Sequence, residues 1–171
     1  MKLFYHLCCS SFQALQELRR IGLYHRDIAP ENMMVHNDRI VFIDFGTAKL
    51  VPFDHRTGSR MLIRQEKIIF GRLVNLPFES LSELAFDGYS VDLWAVMITF
   101  YRLVTGQLPW ECAKITNDLF KSTCLGGMKM RLEDSDLNLS PDLIDLLDKF
   151  FKIDPRKRLG LAEILRHPWF S

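Results

Sequence analysis

Three short polar motifs near the start of the chain carry side chains that could do chemistry. Asp27 ends the tripeptide His25-Arg26-Asp27, Asn32 follows Asp27 by five residues, and Asp44 follows it by 17. Carboxylates accept protons, and carboxylate and amide oxygens are the ligands that a hard cation such as Mg²⁺ prefers. Each motif alone is common, so their order and the elements around them decide what they indicate.

The elements predicted around these motifs place them in loops. Apolar residues at helical spacing predict a helix over the first 23 residues, with Gly22 at its end. These apolar residues are Leu7, Ala14, Leu15, Leu18 and Ile21. The polar stretch 24–32 contains a proline, which favours a loop. Two apolar runs, 33–35 and 40–43, predict a small β-hairpin because four polar residues separate them.

The rest of the chain is predicted to be mostly helical. No clear periodicity is seen from Asp44 to about Glu79, and an irregular stretch of that length is usually functional. Capping residues and apolar periodicity predict three further helices. They lie over 91–103, after Ser90 and with Thr105-Gly106 as the stop, over 141–151 after Ser140, and over about 161–166 before Pro168.

Composition and charge exclude several classes of protein. Of the 171 residues, 48% are hydrophobic and 25% are charged, which argues against intrinsic disorder. The net charge of +1 argues against nucleic-acid binding, and every apolar run is too short to cross a membrane. The four cysteines form no Cys-x-x-Cys pair, so no zinc site is expected. Because no signal peptide is recognised, we expect reduced thiols and an intracellular, cytoplasmic protein.

The order of the motifs resembles the C-terminal lobe of eukaryotic-type protein kinases. The motifs are His25-Arg26-Asp27 with Asn32, Asp44-Phe45-Gly46 and Asp92-Leu93-Trp94, and the resemblance continues through 103–110, 154–158 and 167–170. The resemblance implies a mainly α-helical, protein-kinase-like C-terminal lobe with a small β-hairpin over residues 1–171. It also implies a catalytic loop at 25–32 and an activation segment at 44–79.

The resemblance implies ATP-dependent phosphorylation of protein serine or threonine, with Mg²⁺ and ATP as cofactors. It places Asp27 where a carboxylate accepts or orients the substrate hydroxyl proton, and Asn32 and Asp44 where the family binds Mg²⁺. Met34 falls where the family has an apolar residue beneath the adenine. The alternatives are that Asp27 caps a turn, that Asn32 is a turn residue and that Asp44 is a strand-end residue.

Other matches imply structural roles within the same lobe. His25 and Phe45 would pack in the spine that couples the two lobes, and Gly46 completes the Asp-Phe-Gly motif. Asp92 would accept hydrogen bonds from the backbone of the catalytic loop, because burying an acid without such partners is costly.

Two arginines are expected to meet acidic partners. By resemblance, Arg158 would pair with Glu79 inside the lobe, and the alternative is two solvated charges. Arg26 could pair with a phosphate on the activation segment, for which Thr57 and Ser59 are the candidate acceptor hydroxyls.

The chain also departs from the family pattern. No glycine-rich Gly-x-Gly-x-x-Gly loop is present, and the N-terminal lobe is expected to be absent because too little chain precedes His25. Ala29 stands where serine/threonine kinases have a lysine that contacts the transferred phosphate, and Glu31 where tyrosine kinases have an arginine. Arg72 replaces a common threonine. Losing one such donor costs about 3 kcal/mol, or roughly a hundred- to a thousandfold in rate.

Three interpretations follow. In the first, Pro30-Glu31 favours the serine/threonine branch of the family. The chain is a kinase that phosphorylates a protein substrate, inefficient or inactive in this truncated form. Alternatively, it is a pseudokinase-type module that binds a partner kinase or scaffold client, as Ala29 and the absent lobe suggest. The third interpretation is an incomplete chain that lacks an upstream lobe. None of the three involves nucleic acid or a membrane segment.

Overall fold

The protein is mainly α-helical, as the sequence predicts. The computed structural model describes residues 2–64, 71–82 and 84–170, with side chains from residue 5 onward. Within these ranges the α-helices are α1 (Lys2–Ile21), α2 (Gly88–Thr105), α3 (Asp118–Ser122), α4 (Met128–Glu133), α5 (Pro141–Phe150) and α6 (Leu161–Ile164). A π-helical turn, Thr123–Gly127, joins α3 to α4. In this part of the chain, no helix is both long and apolar enough to cross a bilayer.

The strands are short and pair in antiparallel ladders of two. They are β1 (Leu23–Tyr24), β2 (Met33–His36), β3 (Arg39–Phe42), β4 (Lys49–Leu50), β5 (Phe53–Asp54) and β6 (Ser59–Arg60). The ladders join β1 to β4, β2 to β3, and β5 to β6. The β2–β3 pair is the predicted hairpin, and its register sets Met33 opposite Phe42. The other two ladders were not predicted, because two-residue strands carry no periodic pattern.

Helix α1 follows the predicted apolar stripe over most of its length. Leu15 and Leu18 are buried against the core, and Gly22 ends the helix with φ +79°. The stripe does not extend to Ile21, which is 53% exposed at the last turn. The helix ends at this residue, and the chain continues into β1, where Tyr24 is buried.

Helix α2 is the centre of the core, and its start differs from the prediction. Asp87, not Ser90, is the N-cap, since its Oδ1 accepts a hydrogen bond from the Tyr89 N–H at 3.1 Å. Ser90 instead donates its hydroxyl to Asp87 Oδ2 at 2.8 Å. The end of the helix at Gly106, with φ +72°, agrees with the prediction.

Aromatic rings fill the space between α2 and the C-terminal helices. The ring of Trp94 lies 5.2 Å from Phe151 and 5.8 Å from Phe150, and Trp110 lies 5.0 Å from Phe120. All five side chains are buried. This cluster is part of the hydrophobic core that α2 shares with the C-terminal half of the chain.

The C-terminal helices are only partly predicted by the sequence. Helix α5 begins as predicted, with Ser140 accepting a hydrogen bond from the Leu143 N–H at 3.3 Å, and ends at Phe150, one residue early. Helix α6 is shorter than predicted. Helices α3 and α4 were missed because both are short and Gly126, with φ +118°, interrupts the pattern between them.

Candidate active site

A buried carboxylate on α2 holds the loop 25–32 in place. Asp92 is 2% exposed, and its Oδ2 and Oδ1 accept hydrogen bonds from the backbone N–H groups of His25 at 2.6 Å and Arg26 at 3.0 Å. Arg26 has a left-handed backbone, with φ +75°. The contacts expected for Asp92 are therefore present, and they hold the loop in an otherwise unfavourable conformation.

His25 connects this loop to the segment that follows β3. Its Nε2 lies 3.0 Å from the Ile43 carbonyl, and its ring centroid lies 4.8 Å from that of Phe45. The Thr47 hydroxyl donates to the His25 carbonyl at 3.1 Å. Burial lowers the pKa of His25, against the raising effect of its bond to Ile43. A neutral ring that donates from Nε2 to the carbonyl fits these contacts.

Asp27 and Asn32 are hydrogen-bonded to each other. The amide Nδ2 of Asn32 donates to the Asp27 carbonyl at 2.8 Å and to its carboxylate Oδ2 at 3.0 Å. Asn32 ends a 3₁₀ turn, Pro30–Asn32, and its carbonyl accepts from the Ile43 N–H at 3.0 Å. Because the amide NH₂ is directed at Asp27, its oxygen is the atom with which Asn32 could ligate a cation.

Asp44 lies beyond the end of β3 on an exposed turn. Its backbone is left-handed, with φ +62°, which costs a non-glycine residue about 1–2 kcal/mol. Its Oδ1 accepts a hydrogen bond from the Gly46 N–H at 3.3 Å, capping a 3₁₀ turn, Phe45–Thr47. This cap uses only Oδ1, so Oδ2 of the Asp44 carboxylate can still bind a ligand.

The side chains of Asn32 and Asp44 carry oxygens of the kind that Mg²⁺ prefers. Asn32 offers an amide oxygen and Asp44 a carboxylate oxygen, and both are hard ligands. Across the residues that the structure describes, no group of three or more His, Cys, Asp or Glu side chains gathers as a metal site. With Asn32 and Asp44 as protein ligands, a cation would take its other ligands from water or phosphate, as Mg²⁺ commonly does.

A buried ion pair joins the segment before α2 to the C-terminal part of the chain. Arg158 donates from Nη1 to Glu79 Oε1 at 2.5 Å and from Nη2 to Oε2 at 2.8 Å, with the two side chains 5% and 4% exposed. Arg158 also donates to the carbonyls of Lys152 and Ile153, and its guanidinium lies 4.3 Å from the Trp94 ring centroid. The predicted pairing is confirmed, and the alternative of two solvated charges is wrong.

Comparison with known proteins identifies the family. The family model described as "Protein kinase domain" matches residues 4–170. The chain belongs to the protein kinase family.

Its relatives place this kinase domain in the serine/threonine branch. It is 31% identical over 98% of its length to serine/threonine-protein kinase par-4 of Caenorhabditis elegans, and covers 25% of that protein. It is 30% identical over 92% of its length to serine/threonine-protein kinase cds1 of Schizosaccharomyces pombe, covering 34%. It is 29% identical over 91% of its length to the Aurora kinase of Saccharomyces cerevisiae, and covers 38% of that protein. The chain thus spans well under half the length of these relatives.

Family membership makes the departures at positions 29 and 72 informative. Ala29 has an uncharged methyl side chain, and it is fully buried. Arg72 forms an ion pair from Nη1 to Glu31 Oε2. The pKa of Glu31 is lowered chiefly by a hydrogen bond from its own backbone amide and then by Arg72, so Glu31 is a carboxylate at neutral pH. The sequence showed Arg72 and Glu31 only as separate departures.

Two further residues contact the loop but were not singled out from the sequence. Asn75 is 7% exposed and donates from Nδ2 to the Ile28 carbonyl at 2.9 Å. Gly71 has φ +83°, and a Cβ there would lie 2.5 Å from the Arg26 carbonyl oxygen and 3.6 Å from Asp27 Oδ1. One glycine and one asparagine in an aperiodic stretch give no usable signal in a single sequence, because their partners lie more than 40 residues away.

The remaining candidate residues lie on exposed surfaces. Met34 on β2 is 51% exposed, and Phe45 is 45% exposed. Thr57 lies in the exposed turn between β5 and β6, and Ser59 is the exposed first residue of β6. Arg26 donates from Nη1 to the Thr47 carbonyl at 3.3 Å. Residues 65–70 of the predicted 44–79 segment lie outside the described part of the chain.

The buried Asp92 predicts a pH dependence of stability. Burial raises the pKa of Asp92 to about 7, although the bonds from the His25 and Arg26 N–H groups oppose this. The ordinary pKa of an aspartic acid is 3.8, so between pH 3.8 and about pH 7 the folded state binds the Asp92 proton more tightly than the unfolded state does. Stability from this group is therefore present below pH 4 and lost as the pH rises towards 7.

The measurement is urea unfolding of wild type and Asp92→Asn from pH 4 to pH 8. The free energy of unfolding of wild type, minus that of the variant, should fall across this range. Parallel curves for the two proteins would contradict the raised pKa.

Proposed function

We propose that residues 1–171 form the C-terminal lobe of an ATP-dependent serine/threonine protein kinase, with a protein hydroxyl as substrate. Its catalytic loop is 25–32 and its activation segment is 44–79. The observation that carries the proposal is the hydrogen bond between Asn32 and Asp27 on a loop that Asp92 anchors. It sets a proton acceptor and a potential cation ligand side by side.

Asp27 is the group that accepts the substrate proton. The hydroxyl oxygen bonds to the γ-phosphorus of ATP, while the bond from that phosphorus to the bridging oxygen of ADP breaks. ADP leaves with the electron pair, and the hydroxyl proton passes to the Asp27 carboxylate. The Asn32 amide, at 3.0 Å from Oδ2, keeps the carboxylate in a fixed orientation during this step.

Asn32 and Asp44 would hold Mg²⁺ through the amide oxygen and a carboxylate oxygen. The ion, when bound, neutralises the negative charge of the phosphates. Asp44 is suited to this because its turn exposes the carboxylate while the Gly46 N–H fixes one oxygen. Met34 would lie beneath the adenine, and its exposed apolar side chain supports that placement.

The other matched residues support the site without touching the reacting atoms. The contact between His25 and Phe45 couples the catalytic loop to the Asp-Phe-Gly motif. The pair of Glu79 and Arg158 fixes the end of the activation segment to the core. Both contacts support an arrangement in which the loop and the activation segment keep one geometry.

Phosphorylation of the activation segment is the proposed control. Thr57 and Ser59 lie in and beside an exposed turn where a kinase can reach them. A phosphate there would attract Arg26, whose guanidinium lies near Thr47 of the same segment. If Arg26→Ala left the effect of phosphorylation on activity unchanged, Arg26 would not be the residue that pairs with the phosphate.

A second candidate function is a binding module without efficient catalysis. The observation that favours it is Ala29, since a fully buried alanine cannot contact phosphate. In that case the exposed face around Met34 would dock a partner kinase rather than a nucleotide. Nucleotide binding separates the two candidates.

The experiment is titration of the chain with ATP in the presence and absence of Mg²⁺, using Asp44→Ala. Loss of a ligand should weaken Mg²⁺-dependent ATP binding on the order of tenfold or more, because even outer-shell changes cost that much. Asp38→Ala is the matched control, since Asp38 is also exposed and left-handed, with φ +58°. Absence of Mg²⁺-dependent binding in wild type would favour the binding module.

A further inference from the structure

The backbone of the activation segment passes close to the Asp27 carboxylate at Gly71. Gly71 approaches so closely that an added Cβ would be 3.6 Å from Asp27 Oδ1. Arg72 is the next residue, and its Cα is about 3.8 Å from that of Gly71. From there its side chain reaches Glu31, four residues after Asp27 in the catalytic loop. The ion pair therefore ties the residue that follows Gly71 to the same loop that carries Asp27.

The acidic side chains of this loop and of the Asp-Phe-Gly turn need a compensating cation. Asp27, Glu31 and Asp44 contribute carboxylates, and Ala29 contributes only an uncharged methyl group, which is fully buried. A phosphate entering such a site is repelled unless a cation compensates the charge that develops in transfer. An arginine is suited to that task because its guanidinium stays charged and binds phosphate oxygens in pairs.

The Arg72 guanidinium can contact a second anion while it stays paired with Glu31. It has five N–H donors in a planar fork, and the pair with Glu31 is made through Nη1. Its side chain is 45% exposed, so an incoming group can reach it. Glu31 in turn restricts the long side chain to the edge of the catalytic loop.

We propose that Arg72 is a catalytic residue that contacts the transferred phosphate and supplies the positive charge that position 29 lacks. Glu31 is its positioning residue. This inference rests on the proposed kinase function and names the group that stabilises the phosphate in the transfer step. The cation is thus carried by the activation segment, not by the catalytic loop, so ordering of that segment and charge at the site are coupled.

The test measures transfer from radiolabelled ATP to dephosphorylated casein by the full chain and its variants. Arg72→Met keeps the aliphatic stem and removes the charge, and should lower kcat roughly a hundred- to a thousandfold, with a smaller effect on KM for ATP. Arg72→Lys keeps the charge and should recover part of the rate. Glu31→Gln leaves the cation in place and should cost less than Arg72→Met.

A binding measurement provides a readout besides turnover. Wild type should bind MgADP with aluminium fluoride, which mimics the transferred phosphate, more tightly than MgADP alone. Arg72→Met should lose that preference. Arg20→Met is the matched control, because Arg20 pairs with Glu17 on the exposed surface of α1, and it should retain wild-type rate and affinity.

The outcomes separate this inference from the proposed function. If phosphate transfer is lost in Asp27→Asn but unchanged in Arg72→Met, the inference is overturned and the proposed function stands. The inference is also overturned if the transfer rate falls equally in Arg72→Met, Arg72→Lys and Glu31→Gln while the preference for aluminium fluoride is kept. In that case the ion pair of Arg72 and Glu31 has only a structural role. Wild-type transfer no faster than that of Asp27→Asn overturns both the proposed function and the inference.

Discussion

Phosphate transfer by Asp27→Asn is expected to be slower than that of wild type by about 10²–10⁴-fold, the usual contribution of general base catalysis. Asparagine has the same shape as aspartate but cannot accept the substrate proton. The hydrogen bond from Asn32, 3.0 Å long in wild type, can still be made to the amide oxygen of the new side chain. The geometry of the catalytic loop should therefore survive while the chemistry is lost.

Three measurements on the same preparation check this expectation. Transfer to casein should fall, whereas the urea midpoint and the affinity for MgATP should stay close to those of wild type. Asp38→Asn is the control, since Asp38 lies on the exposed turn between β2 and β3. A transfer rate in Asp27→Asn equal to that of Asp38→Asn would mean that Asp27 is not the base.

Arg158→Met is expected to lower the free energy of unfolding by about 3–5 kcal/mol, because it leaves the Glu79 carboxylate buried without its partner. In wild type the two side chains are 5% and 4% exposed, so water cannot replace the missing charge. Domains of this kind are stable by about 5–15 kcal/mol, and the variant would lose a large part of that. Unfolding in urea, followed by circular dichroism, measures the loss.

Arg156 provides a control of the same residue type two positions away. It pairs with Asp154 at 2.9 Å, but its side chain is 87% exposed, so Arg156→Met should cost about 1 kcal/mol or less. The double variant Glu79→Leu with Arg158→Met should recover part of the stability, because neither charge is then left alone. Similar losses for Arg156→Met and Arg158→Met would show that burial does not govern the strength of the pair.

The difference between these two arginines shows why pairing partners are hard to find from sequence. Asp154 lies two residues from Arg156, so local backbone geometry brings them together. Glu79 lies 79 residues from Arg158, and only the packing of the segment before α2 against the C-terminal helices joins them. The sequence pointed to Glu79 through the family resemblance, not through any property of the residues themselves.

Elements governed by neighbouring residues were predicted from the sequence alone. The stripe of α1, the β2–β3 hairpin, the cap at Ser140 and the stop at Gly106 all depend on residues within a few positions of each other. The order of the motifs with Asp27, Asn32 and Asp44 likewise indicated the kinase family. Such features survive in sequence because backbone hydrogen bonding and capping are local.

Tertiary structure decided the features that depend on distant contacts. It left Ile21 exposed and brought Arg72 to Glu31 across 41 residues. It also set the backbone of Gly71 close to the Asp27 carboxylate. Periodicity reports which face of an element is apolar, but the partner of a charged side chain depends on how the elements pack. The sequence therefore indicated the family and its candidate site residues, and only the fold decided that Arg72 pairs with Glu31 in the loop that carries Asp27.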